Sequence, residues 1–292
     1  MTFTRVLTAA VLLPIVVGGV WWGPTWLVAA LVGLVALLAL YEFFRLGERV
    51  GLRGYPRWTA ACAAWLIFEQ WAAGQVETWR IGGGLNVVRA AGSAIVPLEL
   101  VFVVFVLGAA AIALGRGRAP EAPGGEVLPA IGISGAGLLF VALPLSYLVR
   151  LHGVDRSGPK LLLFVLALVW AGDTLAYFVG RAIGRLPMAP VLSPKKTWEG
   201  AAANVIGSFL VAVLFARWLE IETLHLLVVA GLANVAGQVG DLLESAYKRS
   251  AGAKDSGALL PGHGGMLDRI DSQIFAGPVV WCYFGVILRG RA

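Results

Sequence analysis

Residues 254–272 read KDSGALLPGHGGMLDRIDS, and their chemistry is out of keeping with the apolar runs on either side. The stretch sets Lys254, Asp255, His263, Asp268, Arg269 and Asp271 among Gly257, Gly262, Gly264 and Gly265. Just before it, Asp241, Glu244 and Lys248 recur at i, i+3 and i+7, which places them on one face of a helix. Asp241 and Asp268 can therefore meet from opposite ends of one loop. Two carboxylates that close normally repel, and one keeps its proton. A divalent cation removes the conflict, because Mg2+ takes a few protein carboxylates and fills its other positions with water or substrate phosphate. Lys248, Arg249, Lys254 and Arg269 are then candidates for the remaining phosphate oxygens. His263 has three readings, as general base, phosphate contact or loop hydrogen-bonder, and its position does not choose among them. A solvated, salt-bridged loop is the plain alternative.

Two upstream clusters carry comparable chemistry. In WAGDTLAYFVGRAIGR, residues 170–185, Asp173 lies inside an apolar run, where an ionisable group normally faces a cavity or a partner. Asp173, Tyr177, Arg181 and Gly184 share a helical face. Gly172, Ala176, Gly180 and Gly184 form a ladder of small side chains that lets a second helix approach closely; a packing face and nothing more is the other reading. In LSPKKTWEG, residues 192–200, Ser193-Pro194 is a helix-entry signal, and Lys195 and Lys196 are adjacent donors. A helix N-terminus adds free N–H groups and a positive dipole end, so the pattern suits the phosphate of a lipid or a nucleotide. Read plainly, it is a cap with two lysines at a membrane surface. The candidate catalytic residues are Asp241, Asp268, Lys248, Arg249, Lys254 and Arg269. Ser193, Lys195, Lys196, His263, Asp173 and Asp271 are the candidates for substrate binding.

These residues need a scaffold, and the composition says which kind. Hydrophobic residues make up 59% of the 292 and charged residues 14%, against roughly 25% charged in a soluble domain. Mean hydropathy is positive. The expected fold is all-α, a polytopic bundle of membrane helices in which each span takes about 20 mostly apolar residues. About nine spans fit: 6–22, 25–44, 58–74, 96–115, 127–149, 161–180, 200–216, 225–244 and 273–288. The third is the weakest, since it contains Glu69 and Gln70. Arg5 precedes the first span as in a signal peptide, but VWWGPTW follows in place of a small-residue cleavage site, so a retained anchor is expected. Residues 1–125 are almost bare of intramembrane charge and read as scaffold helices. Residues 126–292 carry the unusual chemistry, and the two parts are expected to form one integral unit. Cys62 and Cys282 fall in apolar spans without CxxC spacing and read as small core residues. The net charge of +6 comes without a Lys/Arg run, so no nucleic-acid partner is expected. With a cytoplasmic N-terminus most of the 23 lysines and arginines fall on the cytoplasmic side. The 254–272 loop falls there too, which implies a multi-pass protein of the cell membrane with its site facing the cytoplasm.

No GxxxxGK[ST] loop, GxSxG elbow or HExxH is present. The stretch SAYKRSAGAKDSGALLPGHGGMLDRID, however, resembles the signature of the phosphatidate cytidylyltransferases, or CDP-diacylglycerol synthases. Ser245, Lys248, Arg249, Lys254, Asp255, Gly257, Pro261, His263, Gly264, Gly265, Asp268, Arg269 and Asp271 carry the likeness. GDTLAYFVGRAIGR and SPKKTWEG resemble further blocks of that family in the same order, so the likeness covers roughly residues 170–272. The resemblance implies transfer of a cytidylyl group from CTP to phosphatidate, giving CDP-diacylglycerol and pyrophosphate. It implies Mg2+, with allowance for a second cation, and makes Asp241 and Asp268 the metal ligands. The implied partners are CTP, phosphatidate and the lipid bilayer, with a homodimer left open. In-line attack on the α-phosphorus of CTP needs positioning and charge neutralisation more than a protein nucleophile, and none stands out. A CTP-dependent lipid kinase would share membrane, nucleotide and metal, but would attack the γ-phosphorus and release CDP. An ion-coupled transporter would spread charge through the membrane depth and show an inverted repeat; here the charges gather on one side.

Overall fold

The computed structural model describes residues 13–74, 77–78, 88–89, 98–116, 127–154, 157–259 and 264–287. The described residues are overwhelmingly helical: α1 (Leu13–Trp22), α2 (Thr25–Arg49), α3 (Pro56–Gly74), α4 (Leu98–Arg116), α5 (Val127–Gly137), α6 (Leu143–His152), α7 (Gly158–Ile183), α8 (Trp198–Leu219), α9 (Thr223–Ser250) and α10 (Leu267–Cys282). Two short ribbons accompany them, β1 (Glu77–Thr78) with β2 (Val88–Arg89) and β3 (Pro187–Ala189) with β4 (Ser193–Thr197), both antiparallel.

Among the described residues, six helical segments are long and apolar enough to cross a membrane: α2, α4, α5 with α6, α7, α8 and α9. This is an all-α, multi-pass membrane protein. Of the other three expected spans, 6–22 is described only from Leu13, as the short α1. Span 58–74 forms α3, whose Glu69 and Gln70 point inward, accepting from Trp65 Nε1 at 2.9 Å and Arg150 NH1 at 3.0 Å. The last span is α10, prolonged by a π-helical turn over Tyr283–Ile287.

α5 and α6 form one rod interrupted by a π-helical turn, Leu138–Ala142. Pro144 follows at the start of α6 and has no N–H for the preceding turn, which widens to relieve its ring. The helices turn apolar faces outward and small or polar residues inward. In α8, Ile206, Leu210 and Leu214 are exposed, whereas Asn204, Gly207, Ser208 and Ala212 are buried. In α9, Val228, Leu232, Val235 and Val239 face out while Ala230, Ala233, Asn234 and Gly237 face in. That is the pattern of helices whose outer surface meets lipid. Cys62 is buried as expected, but Cys282 is exposed.

The expected helix entry at Ser193-Pro194 is not there. Ser193–Thr197 is a strand, and the cap is Thr197, whose Oγ1 accepts from Gly200 N at 3.2 Å. Pro194 fits a two-stranded ribbon, where edge positions need no ladder donor. The long α7–α8 connection thus becomes a hairpin that carries Lys195 and Lys196 on its second strand.

Candidate active site

Close helix approach builds the site. The predicted small-residue ladder of α7 lies on α8. A Cβ on Gly200 would sit 3.1 Å from the Ala176 carbonyl, and one on Gly207 would sit 2.9 Å from that of Ala171. Gly237 and Gly240 do the same for α9 and α10. A Cβ on Gly240 would come within 2.6 Å of the Asp271 carbonyl oxygen, so only glycine lets the two helices bring their acidic residues together.

Between α7, α8, α9 and the β3–β4 hairpin lies a cavity of about 670 Å3. Asp173, Tyr177 and Arg181 line it from α7, Lys195 and Lys196 from β4, Asn204 from α8, Gln238 and Asp241 from α9 and Ser272 from α10. The three sequence clusters therefore share one chamber. Asp173 is exposed to it and accepts from Asn204 Nδ2 at 3.0 Å. Behind Asn204, Asn234 donates to Ser208 Oγ at 2.6 Å and accepts from Gln238 Nε2 at 2.6 Å, so a chain of buried amides fixes the chamber floor. Lys196 and Asp241 form an ion pair.

At one wall of the chamber, Asp241, Glu244 and Asp271 each offer a carboxylate oxygen, all within 4.8 Å of one another. Glu244 Oε2 is ion-paired with Lys248, while the buried Oε1 has no hydrogen-bond partner. Asp271 lies in the first turns of α10, ahead of the expected span 273–288. Burial, and next the nearby Asp241 carboxylate, push its carboxyl up to about 8. Three oxygen donors, one of them orphaned and one reluctant to ionise, are the donor set a hard divalent cation takes.

Asp268 is not in that group. Its Oδ1 accepts from Lys248 Nζ at 2.6 Å, and its Oδ2 accepts from Ser256 N at 2.9 Å and Gly265 N at 2.9 Å and lies 3.0 Å from Ser256 Oγ. Burial raises the Asp268 carboxyl, but Lys248 and these amides outweigh it and hold it below its ordinary value. Lys248 joins the two places, since it pairs with Glu244 and with Asp268.

Arg249 holds the chamber's edge together, donating from Nε to Leu192 O at 3.1 Å and from NH1 to Ala253 O at 2.8 Å. Ser193 sits on β4 beside that contact and does not line the chamber. Lys254 and Arg269 are exposed and do not line it either. His263 lies outside the described residues.

Sequence reasoning passed over two carboxylates. Glu244 sat on the face already noted but was not named a site residue. Glu42, in α2, is 2% exposed and reaches the loop before α10. It accepts from Met266 N at 3.0 Å, Leu267 N at 2.9 Å and Ser256 Oγ at 2.7 Å. Its one sequence signal was a lone acid in the apolar run LLALYEFFRLG.

Fold and chamber together define a class: a helical membrane protein with a carboxylate group suited to a divalent cation and basic residues opposite it. The chain belongs to the cytidylyltransferase family, whose sequence model matches residues 3–287. It is similar to the phosphatidate cytidylyltransferase of Bacillus subtilis (strain 168), with 35% identity over 153 residues, 52% of this chain and 57% of that protein. It is similar to that of Brucella abortus (strain 2308), with 45% identity over 170 residues, 56% of this chain and 58% of that protein. A third relative is phosphatidate cytidylyltransferase 5, chloroplastic, of Arabidopsis thaliana, 41% identical over 146 residues, 45% of this chain and 36% of that protein. The matched segments thus span a little over half the length of the two bacterial relatives.

Proposed function

We propose that this protein transfers the cytidylyl group of CTP to phosphatidate, giving CDP-diacylglycerol and pyrophosphate. The observation that carries the reading is the single chamber in which Asp173, Lys195, Lys196 and Asp241 meet beside the Glu244–Asp271 pair. The relatives' name specifies the substrates, and the chamber has the chemistry for them. Lys196 and Lys195, on a strand that can adjust, bind the polyphosphate of CTP. Arg181, now bonded to the Tyr177 hydroxyl at 3.0 Å, adds a planar donor at the same rim. The lipid tails lie among the apolar outer faces, leaving only the head group in the chamber.

Asp241, Glu244 and Asp271 would hold a divalent cation, Mg2+ by their all-oxygen chemistry. Bound there, it would neutralise charge on the triphosphate and on the departing pyrophosphate. Asp268, expected as a ligand beside Asp241, serves in this reading to hold Lys248 at the edge of the cation group. The phosphatidate oxygen attacks the α-phosphorus in line, and no side chain has to form a covalent intermediate. The chain's own task is to orient both substrates and to keep Lys196 and Lys248 charged and aimed. The charge bias of the loops and the supply of CTP support a chamber opening to the cytoplasm, in a bundle of about nine spans.

The test is turnover of purified protein in liposomes with phosphatidate, Mg2+ and CTP labelled at its α-phosphate. Label that moves into the lipid supports the proposal. Label left in CDP supports phosphorylation of a lipid in its place.

A further inference from the structure

The loop that precedes α10 is not self-supporting. α10 starts at Leu267 without a capping side chain of its own, and its first free amides, Met266 N and Leu267 N, point at Glu42 of α2. A carboxylate there satisfies two donors that would otherwise be buried unpaired, and it complements the positive end of the helix. Two loop glycines are shaped to it. Any side chain on Gly257 would collide with the Glu42 carboxylate, and one on Gly265 would collide with Glu42 and Ser256 together.

Glu42 does not stop at the helix end. Its Oε2 lies 2.7 Å from Ser256 Oγ, which lies 3.0 Å from Asp268 Oδ2; Asp268 Oδ1 lies 2.6 Å from Lys248 Nζ, and Lys248 pairs with Glu244 of the cation group. We propose that Glu42 is a positioning residue for cytidylyl transfer, setting through Ser256 and Asp268 where the Lys248 ammonium stands relative to Glu244. The proposal rests on the transfer reading above and adds a residue from the part of the chain that its sequence marks as scaffold. Each link is short, and the chain runs from a buried end at Glu42 to a mostly buried one at Lys248, so a change at Glu42 propagates rather than being absorbed by solvent. A glutamine there keeps the shape but turns an N–H2 toward donors, so one of the three bonds must be lost. Lys248 is then free to swing between Asp268 and Glu244.

The experiment uses the full chain in liposomes, as parent, Glu42→Gln and Ser256→Ala, with three readings on each. These are kcat and KM for CTP and for phosphatidate, the Mg2+-dependent rise in melting temperature, and amide exchange at Met266 and Leu267. Glu42→Gln should lower kcat on the order of 10- to 100-fold, as small misplacements of catalytic groups do, with both KM values unchanged. It should also shrink the Mg2+-dependent rise and speed exchange at Met266 and Leu267. Ser256→Ala, which leaves both helix-end bonds to Glu42 in place, should shrink the Mg2+-dependent rise without speeding that exchange. If Glu42→Gln fails to fold, Ser256→Ala decides by that rise and its kcat. The proposal is overturned if either variant, folded, keeps the parent's kcat and Mg2+ response. It is equally overturned if melting temperature falls while kcat per folded molecule stays the same. A parent that transfers no cytidylyl group sinks the transfer reading alone, because the Mg2+ and exchange readings need no turnover and still report on the relay.

Discussion

Lys248 Nζ stands between two carboxylates, 2.6 Å from Asp268 Oδ1 and ion-paired with Glu244, all three side chains at most 12% exposed. One cation thus serves both the loop that the signature builds and the acidic group that begins at the chamber wall with Asp241. Removing it leaves Glu244 without its ion partner and Asp268 with only its backbone amides, a loss of about 3–5 kcal/mol when a buried pair is broken. Lys248→Met should therefore lower the melting temperature and abolish transfer. A variant of ordinary stability and activity would show that the lysine is an onlooker.

The cation group predicts which carboxylates control metal dependence. Asp241→Asn and Asp271→Asn each remove one of three ligands and should raise the Mg2+ concentration needed for half-maximal activity by at least the roughly 10- to 100-fold that loss of a ligand's hydrogen-bond partner costs. Asp268→Asn, which loosens Lys248 beside the group without removing a ligand, should cost kcat at saturating Mg2+ and raise that concentration less than either ligand variant does. Magnesium titrations of the three variants check this, and a large shift for Asp268→Asn would place that residue among the ligands.

Proton linkage at Asp271 has a definite sign. Its folded-state carboxyl is raised to about 8 by burial and then by Asp241, above an unfolded value of about 3.9. A carboxyl raised on folding stabilises the metal-free fold below the unfolded value, and that contribution is lost as pH rises through the folded value. A cation must displace the proton, so the Mg2+-dependent gain in melting temperature should grow between about pH 6 and about pH 8. Asp271→Asn should flatten that growth. Melting curves across this range, with and without Mg2+, test it.

Asp268 has the opposite sign. Burial would raise it, but Lys248 and the amides of Gly265 and Ser256 hold it below its ordinary value. Its stabilisation is present above the unfolded value of about 3.9 and is lost as pH falls through the folded one. The melting-temperature gap between parent and Asp268→Asn should hold at neutral pH and close toward pH 3. A gap independent of pH would mean that the asparagine is replacing shape and not charge.

The α7–α8 contact predicts a packing effect on the chamber. Gly207 faces the Ala171 carbonyl and Leu175 so closely that a valine there would force the helices apart, at about 1–3 kcal/mol. Because Asp173 and Asn204 lie on those helices, Gly207→Val should also raise the KM for CTP. Crosslinking or a KM measurement that finds neither separation nor weakened binding would remove Gly207 from the argument.

Much of this site was legible in the sequence because the chain is otherwise so apolar. Asp173 stood out as a charge inside an apolar run, Lys195 and Lys196 as adjacent donors and Asp241 as a carboxylate at a helix end, and all four line one cavity. The small-residue ladder from Gly172 to Gly184 was legible for the same reason, since periodicity on a helix survives without any tertiary knowledge. The hairpin was not. Ser193-Pro194 has the form of a helix entry, and only the pairing of Pro187–Ala189 with Ser193–Thr197 shows that Thr197 takes that role. Nor could spacing tell Asp268 from Asp271 as neighbours of Asp241, because they differ by three residues at the start of a helix whose first amides are held by Glu42. That contact spans 225 residues of sequence, and no local pattern encodes it.

The most direct test of the account is where label from the α-phosphate of CTP goes when the parent and Asp241→Asn are given phosphatidate and Mg2+. The parent should give labelled CDP-diacylglycerol with one pyrophosphate released per lipid, and Asp241→Asn, folded, should be nearly silent at an Mg2+ concentration that just saturates the parent. Label retained in CDP, or equal transfer by Asp241→Asn, would contradict it.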